Sequence, residues 1–309
     1  MTKRTLKQQA GRAVAASLAA ILVIFMGIGA TQSASAAAKK VVPTVLWQEA
    51  YSGKAGVKPN AKIWQYNMGN GLGWGNNELE YYTNKAAQMS TDGKGHMVIT
   101  ASQVDLNNPS DNYITDYCGQ CVFKSARVYT RDQLSFQYGR IEARIQVPEG
   151  AGMWPAFWLL GVDRPSCSGW PSCGEIDIME VRGSTPNVAI GSIHGRGYSG
   201  GSSKSNYYYS PDNLSLGGGY HVFRIDWLPN SIEYYVDGNL YGTETPKDVA
   251  PNDWVFNARF YMIMNFATGG NFDGSQLDTS IQSAKMSIDY VKYSTLVVNN
   301  KAYGKLYKY

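Results

Sequence analysis

Apolar and polar side chains alternate along much of the chain. In Gly95–Val104 (GHMVITASQV), Gly139–Val147 (GRIEARIQV), His221–Leu228 (HVFRIDWL) and Ser231–Gly238 (SIEYYVDG) the apolar positions recur about every second residue, and Lys285–Tyr293 (KMSIDYVKY) repeats the pattern. A period of two sends successive side chains to opposite faces of a strand, so each segment offers one face to a core and one to solvent. Pro229-Asn230 and Asp237-Gly238 supply turns at the ends of two of these segments. Helical periodicity is weak and short beyond residue 36. Strands separated by Gly, Pro and Asn turns predict an antiparallel all-β sandwich whose concave face can hold an extended ligand. The glycine-rich stretch Gly197–Gly219 reads instead as a long surface loop.

One strand-like segment departs from the period. Gly174–Gly183 (GEIDIMEVRG) carries Glu175, Asp177 and Glu180 between apolar residues. Glu175 and Asp177 share a strand face, whereas an offset of five sends Glu180 to the opposite one. At about 100° per residue a helix scatters all three. A β-bulge that absorbs one residue, most simply around Met179, restores Glu180 to the acidic face, and bulges are over-represented beside active sites.

Residues 1–36 form an export signal rather than a part of the fold. Lys3, Arg4, Lys7 and Arg12 precede an apolar run, Ala13–Ala30, and Ala34-Ser35-Ala36 offers small residues for cleavage. A secreted, extracellular protein with no membrane attachment after cleavage is expected, and residues 37–309 read as one domain without a linker or repeat. The signal also distorts the charge. Removing its four basic residues from the 28 in the chain leaves 24, against 24 acidic residues. A formally neutral mature chain lacks the electrostatic footprint for nucleic acid or an anionic membrane. In an exported chain, Cys118, Cys121, Cys167 and Cys173 suit disulfides, and local pairs Cys118–Cys121 and Cys167–Cys173 are the favoured assignment.

Three carboxylates on one strand face repel, and burial raises at least one pKa. Two glutamates with separated pKa values can perform retaining glycoside hydrolysis, one attacking the anomeric carbon and the other first protonating the leaving oxygen, then activating water. With a bulge, Glu175 and Glu180 stand about four strand steps apart, roughly 13 Å between Cα atoms. Leaning side chains on a concave face can close the carboxyl gap toward the ~5–5.5 Å of a retaining pair. An acidic edge strand that only discourages aggregation is the plainer reading. Trp154, Trp158 and Trp170 favour the chemical one, since indole faces suit the apolar C–H patches of pyranose rings.

These residues resemble glycoside hydrolase family 16. The acidic motif, GRIEARIQVPEGAGMWPAFWLLG before it and GSIHGRGYSG after it are similar to the bacterial endo-1,3-β-glucanase (laminarinase) branch. WGNNELEYYT, SARVYT, DWLPNSIEYYVDG and NFATGGNF extend the likeness from about Trp47 to Tyr293. The resemblance implies a concanavalin-like β-jelly roll of two antiparallel sheets and internal cleavage of β-1,3-glucan such as laminarin or fungal wall. A 1,3-1,4-β-glucanase or an agarase-like galactanase is the alternative in the same class, and a non-catalytic glucan-binding protein the alternative in another. The extra residue in E-x-D-x-x-E is similar to laminarinases, agarases and carrageenases, whereas lichenases use E-x-D-x-E.

By the same resemblance Glu175 is the nucleophile, Glu180 the acid/base and Asp177 their partner. Asn77, Arg127, Trp154, Trp158, Trp170 and His194 are the implied substrate contacts. Glu49, Gly93 through its carbonyl and Asp289 are the implied ligands of a structural calcium ion, with no catalytic cofactor. A monomer acting on polysaccharide is expected. Arg196 stands where the family pattern has Pro, and Thr268 where Val is more usual.

Overall fold

The period-two segments become strands close to their expected bounds. His221–Leu228 and Ser231–Val236 form a hairpin, and Gly139–Gln146, Met97–Gln103 and Ser283–Ser294 are its companions in a ten-stranded sheet. The turns behave as their residues dictate: Asn230 (φ 62°), Asp237 (φ 50°) and Gly238 (φ 83°) all adopt the left-handed conformation that tight hairpins need. These coordinates are a computed structural model that describes residues 42–112, 114, 121–274 and 276–309. The expected export signal and the expected Cys118–Cys121 pairing, which involves Cys118, lie outside the described residues.

The second sheet has nine strands. In order it runs Lys204–Tyr209, Val188–His194, Glu175–Val181, Met153–Gly161, Phe260–Thr268, Arg127–Tyr129 and Gln65–Asn67. Leu134–Gln137 joins Phe260–Thr268 through Phe136 opposite Phe260, and Lys305–Lys308 pairs onto Leu134–Gln137. Pairing is antiparallel throughout both large sheets except between Glu80–Tyr82 and Phe123–Ser125. The α-helix Pro246–Val249 and several single-turn helices sit in the connections.

The two sheets face each other across one apolar core. Phe157, Leu159, Ile176 and Met264 come from the nine-stranded side, and Ile141, Phe223, Ile225 and Met286 from the ten-stranded side. Trp227 meets Phe260 edge-on at 5.4 Å between ring centroids, closing the sandwich. Alternation then fixes the outer face of the nine-stranded sheet: Trp154 and Trp158 point away from the core that Phe157 and Leu159 fill. This is the two-sheet, antiparallel jelly-roll architecture expected from the sequence.

The stretch Gly197–Gly219 is not a continuous loop. Lys204–Tyr209 within it is an edge strand on Val188–His194, in register from Val188 opposite Tyr209 to Ile193 opposite Lys204. Three consecutive tyrosines with high strand propensity outweigh the flanking Gly and Ser, which form single-turn helices at Gly200–Ser202 and Leu216–Gly218.

Candidate active site

The bulge is present, and it falls between Asp177 and Glu180. Asp177 opposes Ser192 and Glu180 opposes Ile190, so three residues on one strand match two on the other. On the opposite side Met179 pairs with Phe157 and Asp177 with Trp158, which leaves Ile178 as the residue without a counterpart. Ile178 therefore takes the role assigned to Met179 from sequence. Both side chains are buried, so either apolar residue satisfied the pattern and only the ladder separates them. The bulge returns Glu180 to the cleft face beside Ala156.

Cross-strand rows assemble the rest. Asp177 lies between Ser192 and Trp158, Glu175 between His194 and Leu160, and Glu180 between Ile190 and Ala156. Asp177 Oδ2 accepts from Ser192 Oγ at 2.8 Å and lies 3.0 Å from His194 Nε2. His194 Nδ1 accepts the Gly200 N–H at 3.1 Å, so the ring carries its proton on Nε2 and donates it to Asp177. Only 3% of the Asp177 side chain is exposed, against 15% for Glu175 and 12% for His194.

This partly dry environment sets the protonation states. Burial raises the Glu175 carboxyl well above 4.5, with the Asp177 charge and a shared hydrogen bond adding to the rise, while the Trp170 indole and Arg127 oppose it. Burial likewise raises Glu180 well above its ordinary value, reinforced by Asp177 and only partly countered by His194. For His194, burial disfavours the cation but Asp177 and Glu180 outweigh it, raising the pKa above 6.5. Protonating that ring would also sacrifice the Gly200 contact.

The indoles hold this arrangement as well as line it. Trp154 Nε1–H donates to Glu180 Oε1 at 3.0 Å, and its ring stacks on Phe272 at 4.5 Å. Trp158 Nε1–H donates to Asn265 Oδ1 at 2.7 Å; Asn265 Nδ2 in turn donates to Tyr82 Oη at 3.1 Å, and Tyr82 donates to Glu78 at 3.3 Å. The Arg127 guanidinium lies between Trp74 and Trp158, 4.4 and 4.9 Å from their centroids. Trp170 is 55% exposed and caps the Glu175 end, in a loop closed by the Cys167–Cys173 disulfide. Arg196 Nη2 donates to Ser172 Oγ at 3.1 Å, so the departure from Pro ties the neighbouring loop to this one. Asn77 sits on the rim with its Nδ2 on Asn271 Oδ1 at 3.0 Å.

Ser192, Asn265, Phe272 and Trp74 join the site although the sequence alone did not single them out. Their signal was weak: Asn265, Phe272 and Trp74 lie in quoted family segments but far along the chain from the acidic strand. Two of the implied calcium ligands, Glu49 and Asp289, lie on adjacent strands of the ten-stranded sheet. Glu49 pairs with Val291, whose side chain is in the core, so the two share the inward face of the ten-stranded sheet. Asp289 lies at a bulge in Ser283–Ser294, and its Oδ2 accepts from Arg144 Nη1 at 2.6 Å. The one compact donor group among the described residues is Glu175, Asp177 and His194, with one candidate ligand atom from each lying within 4.8 Å of one another.

A jelly roll with a bulged carboxylate strand and indoles on its open face belongs to the carbohydrate-active class. The profile of Glycosyl hydrolases family 16 matches residues 75–292, and the chain belongs to that family. It is 34% identical over 264 residues to "Glucan endo-1,3-beta-glucosidase A1" of Niallia circulans, covering 80% of this chain and 37% of that protein. The laminarinase catalytic domain from Thermotoga maritima superposes with a TM-score of 0.73 at 33% identity, over 83% of this chain and 99% of that one. The endo-β-1,3-glucanase from Pyrococcus furiosus gives 0.72 at 35%, over 83% and 96%.

Proposed function

We propose that the protein is a secreted endo-1,3-β-glucanase that cleaves laminarin-like or fungal-wall glucan by retaining double displacement. The observation that carries this reading is the bulged strand that sets Glu175, Asp177 and Glu180 on one indole-lined face. Relatives named for the same activity support the substrate class.

Glu175 attacks the anomeric carbon from the face opposite the leaving group. Its raised pKa requires a proton to leave before attack, and Arg127 and the Trp170 indole favour the ionised form. Asp177, fixed by Ser192 and His194, holds the hydrogen bond to Glu175 and orients it. Burial favours the protonated form of Glu180, so it can donate to the departing glycosidic oxygen and then deprotonate the water that releases the glycosyl group. The Trp154 indole fixes its Oε1. Trp158 and Trp170 supply sugar platforms, and an open groove admits a chain without requiring its end.

Substrate choice is tested with laminarin, mixed-linkage β-glucan and agarose in parallel, with Glu175→Gln as control. Rapid viscosity loss and short oligosaccharides from laminarin, absent in the variant, are expected. Preference for either other polymer would replace the substrate while retaining the mechanism. Tight binding without cleavage of any polymer would favour a glucan-binding protein.

A further inference from the structure

The match to the family ends at residue 292, yet the chain that follows adds to the sheet that carries the cleft. Phe136 and Leu306 face each other across the Leu134–Gln137 and Lys305–Lys308 pair and turn toward the core. Their neighbours Ser135, Gln137 and Tyr307 therefore lie on the opposite face, the one that carries Trp158 and Tyr261. Tyr309 extends that face. Its hydroxyl bonds with Ser135 Oγ and accepts from Arg259 Nη1, both at 3.0 Å, while 62% of the residue stays exposed. Tyr307 Oη donates to Gln137 Oε1 at 2.9 Å. Rings pinned by their hydroxyls have already lost the rotational freedom that a ligand would otherwise have to freeze.

A groove of about 270 Å³ runs beside them, with Asp163, Arg164, Arg259 and Tyr307 in its walls. Asp163 accepts from Arg131 Nη2 at 2.8 Å, and that guanidinium lies 5.8 Å from the centroid of Tyr261. Asp163 also accepts the Gly169 N–H at 3.1 Å, next to Trp170 at the Glu175 end. Arg259 and Lys305 lie 5.0 and 4.7 Å from the Tyr307 centroid, so cations cover that ring, while the exposed Tyr309 ring offers an apolar face beside guanidinium and carboxylate groups, which matches a ligand with C–H faces and hydroxyl edges.

We propose that Tyr307, Tyr309 and Arg259 form a distal sugar-binding subsite that holds remote units of a glucan chain lying across the catalytic carboxylates. This rests on the β-glucan reading of the cleft. Lys305–Lys308 is four strand positions from the acidic strand, about 19 Å at roughly 4.8 Å per strand. Contact at that range requires a long chain, and the subsite adds affinity without touching the reacting bond.

The test compares laminarin with laminaritriose, using Tyr309→Ala, Tyr307→Ala/Tyr309→Ala and the conservative Tyr309→Trp. Binding is measured by calorimetry in a Glu175→Gln background, and KM in the active protein. The double variant should weaken laminarin binding and raise KM about five- to tenfold, leave laminaritriose unchanged, and keep kcat. Tyr309→Trp should retain laminarin affinity. Equal losses on both ligands, or no loss on laminarin, would overturn the subsite. If the unmodified protein binds laminarin without cleaving it, the hydrolase reading fails and the length dependence of binding still decides the subsite.

Discussion

His194 Nε2 stands 3.0 Å from Asp177 Oδ2 while Gly200 N–H fills the lone pair of His194 Nδ1. One backbone amide thereby selects the tautomer in which histidine donates to the central carboxylate. Nitrogen NMR at alkaline pH, above the raised His194 pKa, should show Nε2 protonated and Nδ1 bare. Replacing His194 with Phe should lower kcat about 10- to 100-fold with a smaller change in KM, because Asp177 loses its anchor. A neutral ring with its proton on Nδ1 would contradict this arrangement.

Glu175 and Glu180 both cost stability where they are ionised. Their folded pKa values are raised above the ordinary 4.5, so the folded state holds these protons more tightly than the unfolded chain does. Their stabilising contribution is present at low pH and is lost as pH rises from about 4.5 through the folded values. Glu180→Gln should therefore melt higher than the parent at pH 7, by about 2–4 °C for each kcal/mol gained, and match it below about pH 4. The same substitution should remove most hydrolysis of unactivated glucan. A lower melting temperature at pH 7 would mean that Glu180 is stabilised as an anion.

Ile178 carries no chemistry, yet its removal should abolish it. Without the extra residue, Glu180 or Glu175 turns into the core or the ladder slips. Deleting Ile178 should cut activity by at least about a thousandfold. Circular dichroism would report whether the sheets survive, and a folded deletion variant with parental activity would show that the bulge does not place Glu180.

Asn265 links the floor of the cleft to the sheet behind it. Asn265→Ala strands the indole N–H of Trp158 and removes a hydrogen bond from buried Tyr82. A loss of about 1–3 kcal/mol is expected, together with a fall in kcat/KM of roughly tenfold or more as Trp158 loses its orientation. Thermal melts and glucan kinetics measure the two effects separately.

Glu49 is raised by burial and has no hydrogen bond or ion pair among the described residues. If Glu49, the Gly93 carbonyl and Asp289 hold calcium, chelator should lower the melting temperature of the parent and have a smaller effect on Glu49→Gln. A chelator effect of equal size in both would remove Glu49 from the ligand set.

Much of this was legible in the chain because period two is a local signal. The hairpin at His221–Val236, the shared face of Glu175 and Asp177, and the need for a bulge all follow from spacing within a few residues. What stayed hidden depends on contacts between distant segments. Asn265 meets Trp158 across 107 residues, and Gly200 reaches His194 through a loop whose Gly and Ser also masked the Lys204–Tyr209 strand.

Retention by Glu175 and Glu180 is tested most directly by the configuration of the first product. Proton NMR of residues 37–309 acting on laminarin, followed before mutarotation, should show the new reducing end appear first as the β-anomer, with no signal from Glu175→Gln. Initial appearance of the α-anomer would contradict double displacement and make one carboxylate a base for water.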